Sequence, residues 1–299
     1  MFDTIVIGGG TAGMTAAIYL LRAGKSVLLL ESTALGGQIT ASERIENFPG
    51  LFGVSGIEYA DRLAEQMFEF GGSIDPVEVA KVQKGAEGFT VLTTDGEEYE
   101  AKSVVIASGA AHRHLGIERE EELAGISYCA VCDGAFYKGK EVAVVGGGNA
   151  AVQSALSLAD LCSKVTLIHR REGFRAEPLL LERLRAKENV EFRLGAVVSK
   201  LIGEGRVTSV ELSYADRQEE MPLDGLFIAI GQQPANGPFA DLCDLDEQGY
   251  IDAGEDCLTK TPGVFVAGDC RKKQVRQLAT AAGDGAVAGL AAINYLDDL

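Results

Sequence analysis

The chain has no apolar run approaching the ~20 residues that span a bilayer, and Met1-Phe2-Asp3-Thr4 carries no basic segment ahead of a signal-type apolar stretch. A cytoplasmic protein with no membrane partner is expected. Positive charge is scarce as well: 27 Lys plus Arg stand against 44 Asp plus Glu, a formal net charge of −17. A nucleic-acid backbone or an anionic surface would be repelled overall, so nucleic acid is not an expected partner. The 37 glycines follow no collagen-like period, and 299 residues, 46% hydrophobic and 24% charged, suffice for two globular domains without disulfide staples. Among only six cysteines, Cys129 and Cys132 alone form a close pair.

What is present is a repeat. Residues 4 to 31 read as a β-α-β unit: the strand Thr4-Ile5-Val6-Ile7, a glycine turn, a helix over about 11–23, Gly24 as a stop, and a strand from Ser26 to Leu30 ending at Glu31. Shifted by 138 residues, Gly8-Gly9-Gly10 falls on Gly146-Gly147-Gly148, Gly13 on Ala151, and Val27 to Leu30 on Val165 to Ile168. Between the two lie an amphipathic helix at about 56–70, an alternating stretch around 77–100 with Asp95-Gly96 as a hairpin signal, and the strand Val104-Val105-Ile106. Later come hairpin strands over Val197 to Leu212, a buried strand from Leu226 to Gly231, a strand at Val264 to Val266 and a helix from about 275 to 295. Loop-like segments, Ala110 to Gly116 and Gln232 to Asp244, bracket the second unit. The expected fold class is α/β: two Rossmann-like dinucleotide-binding domains, residues 113–240 inserted between residues 1–112 and 241–299 of a split first domain.

The first turn, Gly8-x-Gly10-x-x-Gly13, follows a strand and opens a helix at Thr11 and Ala12, the context that makes this pattern a pyrophosphate site. Glu31, at the end of the next strand, is placed to accept hydrogen bonds from an adenosine ribose. The second turn, Gly146-x-Gly148-x-x-Ala151 with Asn149 and Ala150, is the same device with the charge inverted: His169-Arg170-Arg171, and then Arg175, stand where Glu31 stood. Guanidinium groups grip a 2′-phosphate that a carboxylate would repel, so this unit is expected to take NADPH.

Cys129-Ala130-Val131-Cys132-Asp133-Gly134 lies just upstream of the second turn. Two thiols at this spacing close and open a small ring with each electron pair, and Asp133 is placed to move a proton on and off a thiolate. Zinc needs four ligands, and the remaining cysteines and histidines supply no second pair, so no metal is expected. Cys270, in a glycine turn, reads as a small buried side chain, and His112 and His114 as surface or hydrogen-bonded groups.

Together with Gly36-Gly37-Gln38, Glu46 to Gly50, Ala267-Gly268-Asp269 and Arg276-Gln277, these motifs resemble the low-molecular-weight thioredoxin reductases of bacteria, over essentially the whole chain. The resemblance implies a homodimer with tightly bound FAD, held by the first glycine turn, Glu31, Gly37, Gln38, Asn47, Asp269, Arg276 and Gln277. It implies that Cys132 faces the flavin, that Cys129 attacks the disulfide of thioredoxin or a thioredoxin-like protein, and that Asp133 is the acid/base. NADPH would lie on Gly148, Asn149, Ala150, His169, Arg170, Arg171 and Arg175. One flavin serving both a nucleotide and a disulfide carried by the inserted domain implies rotation about residues 110–116 and 232–244. The chain departs from the family pattern at Val131, at Gln232-Gln233 and at Arg271-Lys272-Lys273. Two other readings stay open at this point: a flavoprotein that takes its electrons from ferredoxin, and a dinucleotide-binding redox sensor.

Overall fold

In the computed structural model, which describes residues 1–299, the chain divides into two compact units: Met1–Ala111 with Gln233–Leu299, and His112–Gln232. No helix is long and apolar enough to cross a membrane.

The first unit opens with β1 (Phe2–Ile7), α1 (Thr11–Arg22) and β2 (Val27–Leu30). α1 ends where Gly24 adopts φ +76° and its N–H closes on the Leu21 carbonyl at 2.9 Å. α2 (Gly56–Glu69) starts at Ser55, whose hydroxyl accepts the Glu58 N–H at 3.1 Å. After β3 (Ser73–Asp75), the strands β4 (Val79–Lys84), β5 (Phe89–Thr93) and β6 (Glu98–Ile106) form an antiparallel meander. β7 (Ala110–His112) leads out.

The second unit follows with β8 (Ile126–Ser127), α3 (Ala130–Asp133), β9 (Glu141–Val145), α4 (Asn149–Ala159), β10 (Lys164–His169), α5 (Pro178–Arg185) and β11 (Val190–Leu194). An antiparallel sheet of β12 (Val197–Ile202), β13 (Ser209–Ser213) and β14 (Gln218–Pro222) precedes β15 (Gly225–Ile228). The parallel sheet runs β11-β10-β9-β15-β8. Its central strands are mostly apolar, Thr166 of β10 being an internal exception, because both faces are covered. Val142, Val144, Val165, Leu167 and Phe227 meet Val152, Leu158 and Leu184 on one side, while Ala143, Ile168, Leu226 and Ile228 meet Val198, Val210 and Leu212 on the other.

β16 (Gln232–Pro234) returns the chain to the first unit, where β17 (Val264–Val266) adds parallel to β6 and α6 (Leu278–Asp297) ends the fold. The sheet order is β3-β2-β1-β6-β5-β4. Along β1 the side chains alternate: Val6 faces the α1 and α6 side, while Ile5 and Ile7 face a cluster holding Phe239, Leu242 and Cys243. That cluster moves the return crossing from the expected 241 to Gln233, because the presumed loop supplies core side chains. Phe239 ends a short 3-10 turn, Gly237–Phe239, and Leu242 and Cys243 follow it in irregular chain, so they show no helical or strand period. α6 likewise begins later than expected, at Leu278, since the side chains of Gln277 and Thr280 form a reciprocal cap.

The two glycine turns are built alike. Gly8 has φ +107°, and a Cβ there would lie 2.2 Å from the Ala107 carbonyl oxygen beyond β6; Gly146 has φ +154°, and a Cβ there would lie 2.4 Å from the Ala229 carbonyl oxygen beyond β15. Only glycine fits either position.

Candidate active site

The thiol pair sits at the end of β8, the edge strand of the second unit's parallel sheet, paired to β15 with Ser127 opposite Phe227. Cys129 caps α3, its Sγ accepting the Cys132 N–H at 3.2 Å, and the two cysteines are joined in a disulfide. Ala130 is buried in the core against α4, which turns Val131 outward to 66% exposure and leaves Cys129, Cys132 and Asp133 half-buried. Asp133 is tied into the same turn twice: its N–H donates to the Cys129 carbonyl at 3.1 Å, and its carboxylate accepts the Ser127 hydroxyl at 2.6 Å. The other four cysteines are buried free thiols. Burial pushes Cys243 and Cys257 up to about 12 and Cys270 up to about 11, so they stay protonated and unreactive. His112 stacks on Tyr128, and His114 shares a hydrogen bond with the Tyr128 hydroxyl at 2.9 Å. No group of three or more His, Cys, Asp and Glu side chains is placed to hold a metal.

In the first unit, Gly10 precedes α1 with no side-chain cap, so the first N–H groups of a twelve-residue helix are open. A Cβ on Gly13 would lie 1.9 Å from the Gly8 oxygen, so glycine is what lets Thr11, Ala12 and the rest of the first turn close onto β1. Glu31 accepts the Gly9 N–H at 2.6 Å and the Thr33 N–H at 2.8 Å, which holds its carboxylate at the rim of the turn. Gly36 and Gly37, both at positive φ, run beside the turn, with Gly36 bridged to Gly10. Gln38 donates to the Ala110 carbonyl; Asn47 donates to the Gln277 side chain at 3.1 Å. Arg276 lies 4.0 Å over the Tyr250 ring and donates to the Asp269 carbonyl at 3.2 Å.

Asp269 is the telling side chain. Its Oδ1 is buried with no hydrogen-bond partner, and burial pushes its carboxyl above the usual carboxylate range. A buried acceptor without a donor is costly and calls for a ligand that brings one. Hydroxyl groups of a polyol chain meet that need, and an open helix start meets the need of a pyrophosphate, so these residues fit a flavin dinucleotide.

In the second unit the start of α4 at Gly148 is equally open. His169 is placed differently from the arginines beside it: its ring is buried over Gly147, where a Cβ would lie 2.1 Å from it, and stacks on Phe174 at 5.2 Å. Burial, and then the charges of Arg175, Arg170 and Arg171, push its pKa down, so it is neutral at pH 7. It supports the turn from within. Arg170, Arg171 and Arg175 are exposed, and the Arg175 N–H donates to the Gly147 carbonyl at 2.8 Å, which pins the basic loop to the glycine turn. Asn149 exchanges two 2.8 Å hydrogen bonds with Glu177 and closes the loop from the other end, while Ala150 lies in the first turn of α4.

Residues 2–285 match the pyridine nucleotide-disulphide oxidoreductase family. The chain belongs to it. Within these oxidoreductases it falls among the low-molecular-weight thioredoxin reductases, as its motifs suggested. It is 42% identical to the thioredoxin reductase of Listeria innocua, covering 100% of this chain and 95% of that protein, and 40% identical to that of Bacillus subtilis, covering 100% and 96%. The structure of thioredoxin reductase from Streptococcus pyogenes is 40% identical, covers 100% of this chain and 99% of that one, and superposes with a TM-score of 0.95.

This oxidoreductase also carries a buried ion cluster that its sequence did not disclose. Arg271 forms two bonds to Asp284, Nε to Oδ2 at 2.9 Å and the guanidinium NH2 to Oδ1 at 3.0 Å; Lys273 reaches Oδ2 at 2.8 Å, and the Gly268 N–H donates to Oδ2 at 3.0 Å. Lys272, between them, is exposed and pairs with Asp252. Two of the three added cations therefore clamp the Gly268-Asp269 turn to α6. The sequence signal was a carboxylate in the middle of a helix half of whose residues are Ala or Gly.

Proposed function

We propose that the protein reduces the disulfide of thioredoxin or a thioredoxin-like protein at the expense of NADPH, with FAD in the first unit and Cys129–Cys132 as the redox pair. FAD, when bound, supplies the two-electron relay between a hydride donor and a disulfide. The observation that carries the reading is the formed disulfide on a helical turn that also holds a carboxylate, within a unit that carries its own glycine turn and basic loop.

Reduction breaks the Cys129–Cys132 bond and leaves a dithiol. The Cys132 N–H that points at Cys129 Sγ favours the thiolate there, and Asp133 takes the proton. Cys129 then attacks one sulfur of the partner's disulfide, forming a mixed disulfide and releasing the first partner thiol. Cys132 attacks Cys129 Sγ, which frees the second partner thiol and restores the intramolecular bond. Two electrons and two protons pass to the partner in each cycle. From the family we also carry over a homodimeric assembly and a cytoplasmic setting.

The three exposed guanidinium groups favour NADPH over NADH. In Arg170→Ala with Arg171→Ala, the lost phosphate contacts cost on the order of 1.5–3 kcal/mol, roughly tenfold or more in affinity for NADPH. Stopped-flow reduction of the flavin by each nucleotide checks this: the NADPH concentration dependence weakens while that for NADH hardly changes. Equal kinetics for the two nucleotides in the unaltered protein contradict the assignment.

A further inference from the structure

Ser127 is 4% exposed and stands between the two groups the chemistry needs. Its Oγ donates to Asp133 Oδ2 at 2.6 Å and accepts the Cys129 N–H at 3.1 Å, and a second acceptor, the Cys129 carbonyl, lies 3.4 Å away. We propose that Ser127 is a positioning residue that holds the Asp133 carboxyl against the thiol-bearing turn in both of its protonation states. The inference rests on the reading of Asp133 as the acid/base.

A hydroxyl has one hydrogen and two lone pairs, and it rotates freely. While Asp133 is ionised, the hydroxyl hydrogen serves the carboxylate and a lone pair serves Cys129 N–H. When Asp133 takes up a proton, its own O–H donates to Ser127 Oγ, and the serine hydrogen turns to the Cys129 carbonyl. One proton has moved, no bond to a heavy atom has changed, and no buried polar group is orphaned in either state. An apolar side chain at 127 leaves the carboxylate and the Cys129 N–H each without this partner. Around the turn, β15 presents Phe227, Leu158 of α4 and Leu161 just beyond that helix lie at Gly134, and the adjacent Tyr128 hydroxyl is committed to Glu120 at 2.8 Å and to His114 at 2.9 Å.

The test is the pH profile of kcat/KM for a bacterial thioredoxin in its disulfide form, measured for the unaltered protein, Ser127→Ala, Ser127→Thr and Asp133→Asn, beside the rate of flavin reduction by NADPH. Ser127→Ala is expected to lower kcat/KM roughly tenfold and to move the acidic limb to higher pH, because a lost O–H donor disfavours the carboxylate. Flavin reduction by NADPH stays at its unaltered rate, which shows that the variant is folded and loaded. Ser127→Thr, which keeps the hydroxyl, returns the limb to its original place even if its larger side chain lowers the rate. A profile of Ser127→Ala superimposable on the unaltered one, with Asp133→Asn inactive, overturns the role of Ser127 alone. Full turnover by Asp133→Asn overturns the acid/base reading and this inference with it.

Discussion

Cys129→Ser and Cys132→Ser each abolish reduction of thioredoxin, by on the order of a thousandfold or more, while NADPH still bleaches the flavin. Both sulfurs are needed to complete one exchange cycle, since a single thiol stops at the mixed disulfide. The variants also differ from each other. The family pattern places Cys132 toward the flavin, so a thiolate left there in Cys129→Ser gives a long-wavelength charge-transfer band with oxidised FAD, and Cys132→Ser gives none. Absorption spectra of the two variants at rising pH decide this. A band confined to Cys132→Ser reverses the two roles, and full turnover by either variant contradicts the dithiol relay. The four buried thiols cannot stand in, because burial keeps them protonated.

Asp284→Asn carries the largest expected cost in stability. It leaves the Arg271 and Lys273 side chains, 4% and 7% exposed, without the carboxylate they share. Stranding buried charge in this way costs about 3–5 kcal/mol, or roughly ten degrees in the melting temperature of a domain of this size. The same carboxylate orders the Gly268-Asp269 turn, so FAD retention falls with stability. Thermal unfolding followed by circular dichroism and by flavin fluorescence measures both. Burial raises the pKa of Asp284, but its bonds to Arg271 and Lys273 outweigh that and hold it below the usual carboxylate range. With the folded value depressed, its stabilisation is present above the unfolded-state value of about 3.9 and is lost as pH falls through the folded one. The unaltered protein therefore loses stability in that acid window, and Asp284→Asn shows a flatter slope there. An unchanged melting temperature contradicts the role given to the cluster.

The contrast between Asp284 and the glycine turns shows what a sequence of this kind makes legible. Gly8 to Gly13 and Gly146 to Ala151 can be read because their constraints are local: a strand, a positive φ and a helix start lie within a few residues. The thiol pair and Asp133 share one turn and are legible for the same reason. Asp284 meets Arg271, Lys273 and Gly268 only because α6 is laid on α1, with Gly285 so close that a Cβ would lie 2.3 Å from the Ala12 oxygen. No spacing in the chain announces that contact. His169 could be assigned to the basic loop from its position, but whether its ring points out or in depends on Gly147, a residue on another strand's turn. The return crossing was misplaced because Phe239, Leu242 and Cys243 reach the core from a stretch with no period.

The central claim is tested most directly by anaerobic titration of the purified flavoprotein with NADPH, and in parallel with NADH, followed by addition of oxidised thioredoxin. NADPH should bleach the flavin and be consumed at about two equivalents per chain, one for each two-electron centre, and thioredoxin should then restore the yellow colour as its own disulfide is reduced. A flavin that stays oxidised with NADPH, or one that bleaches but passes no electrons to thioredoxin, contradicts the account.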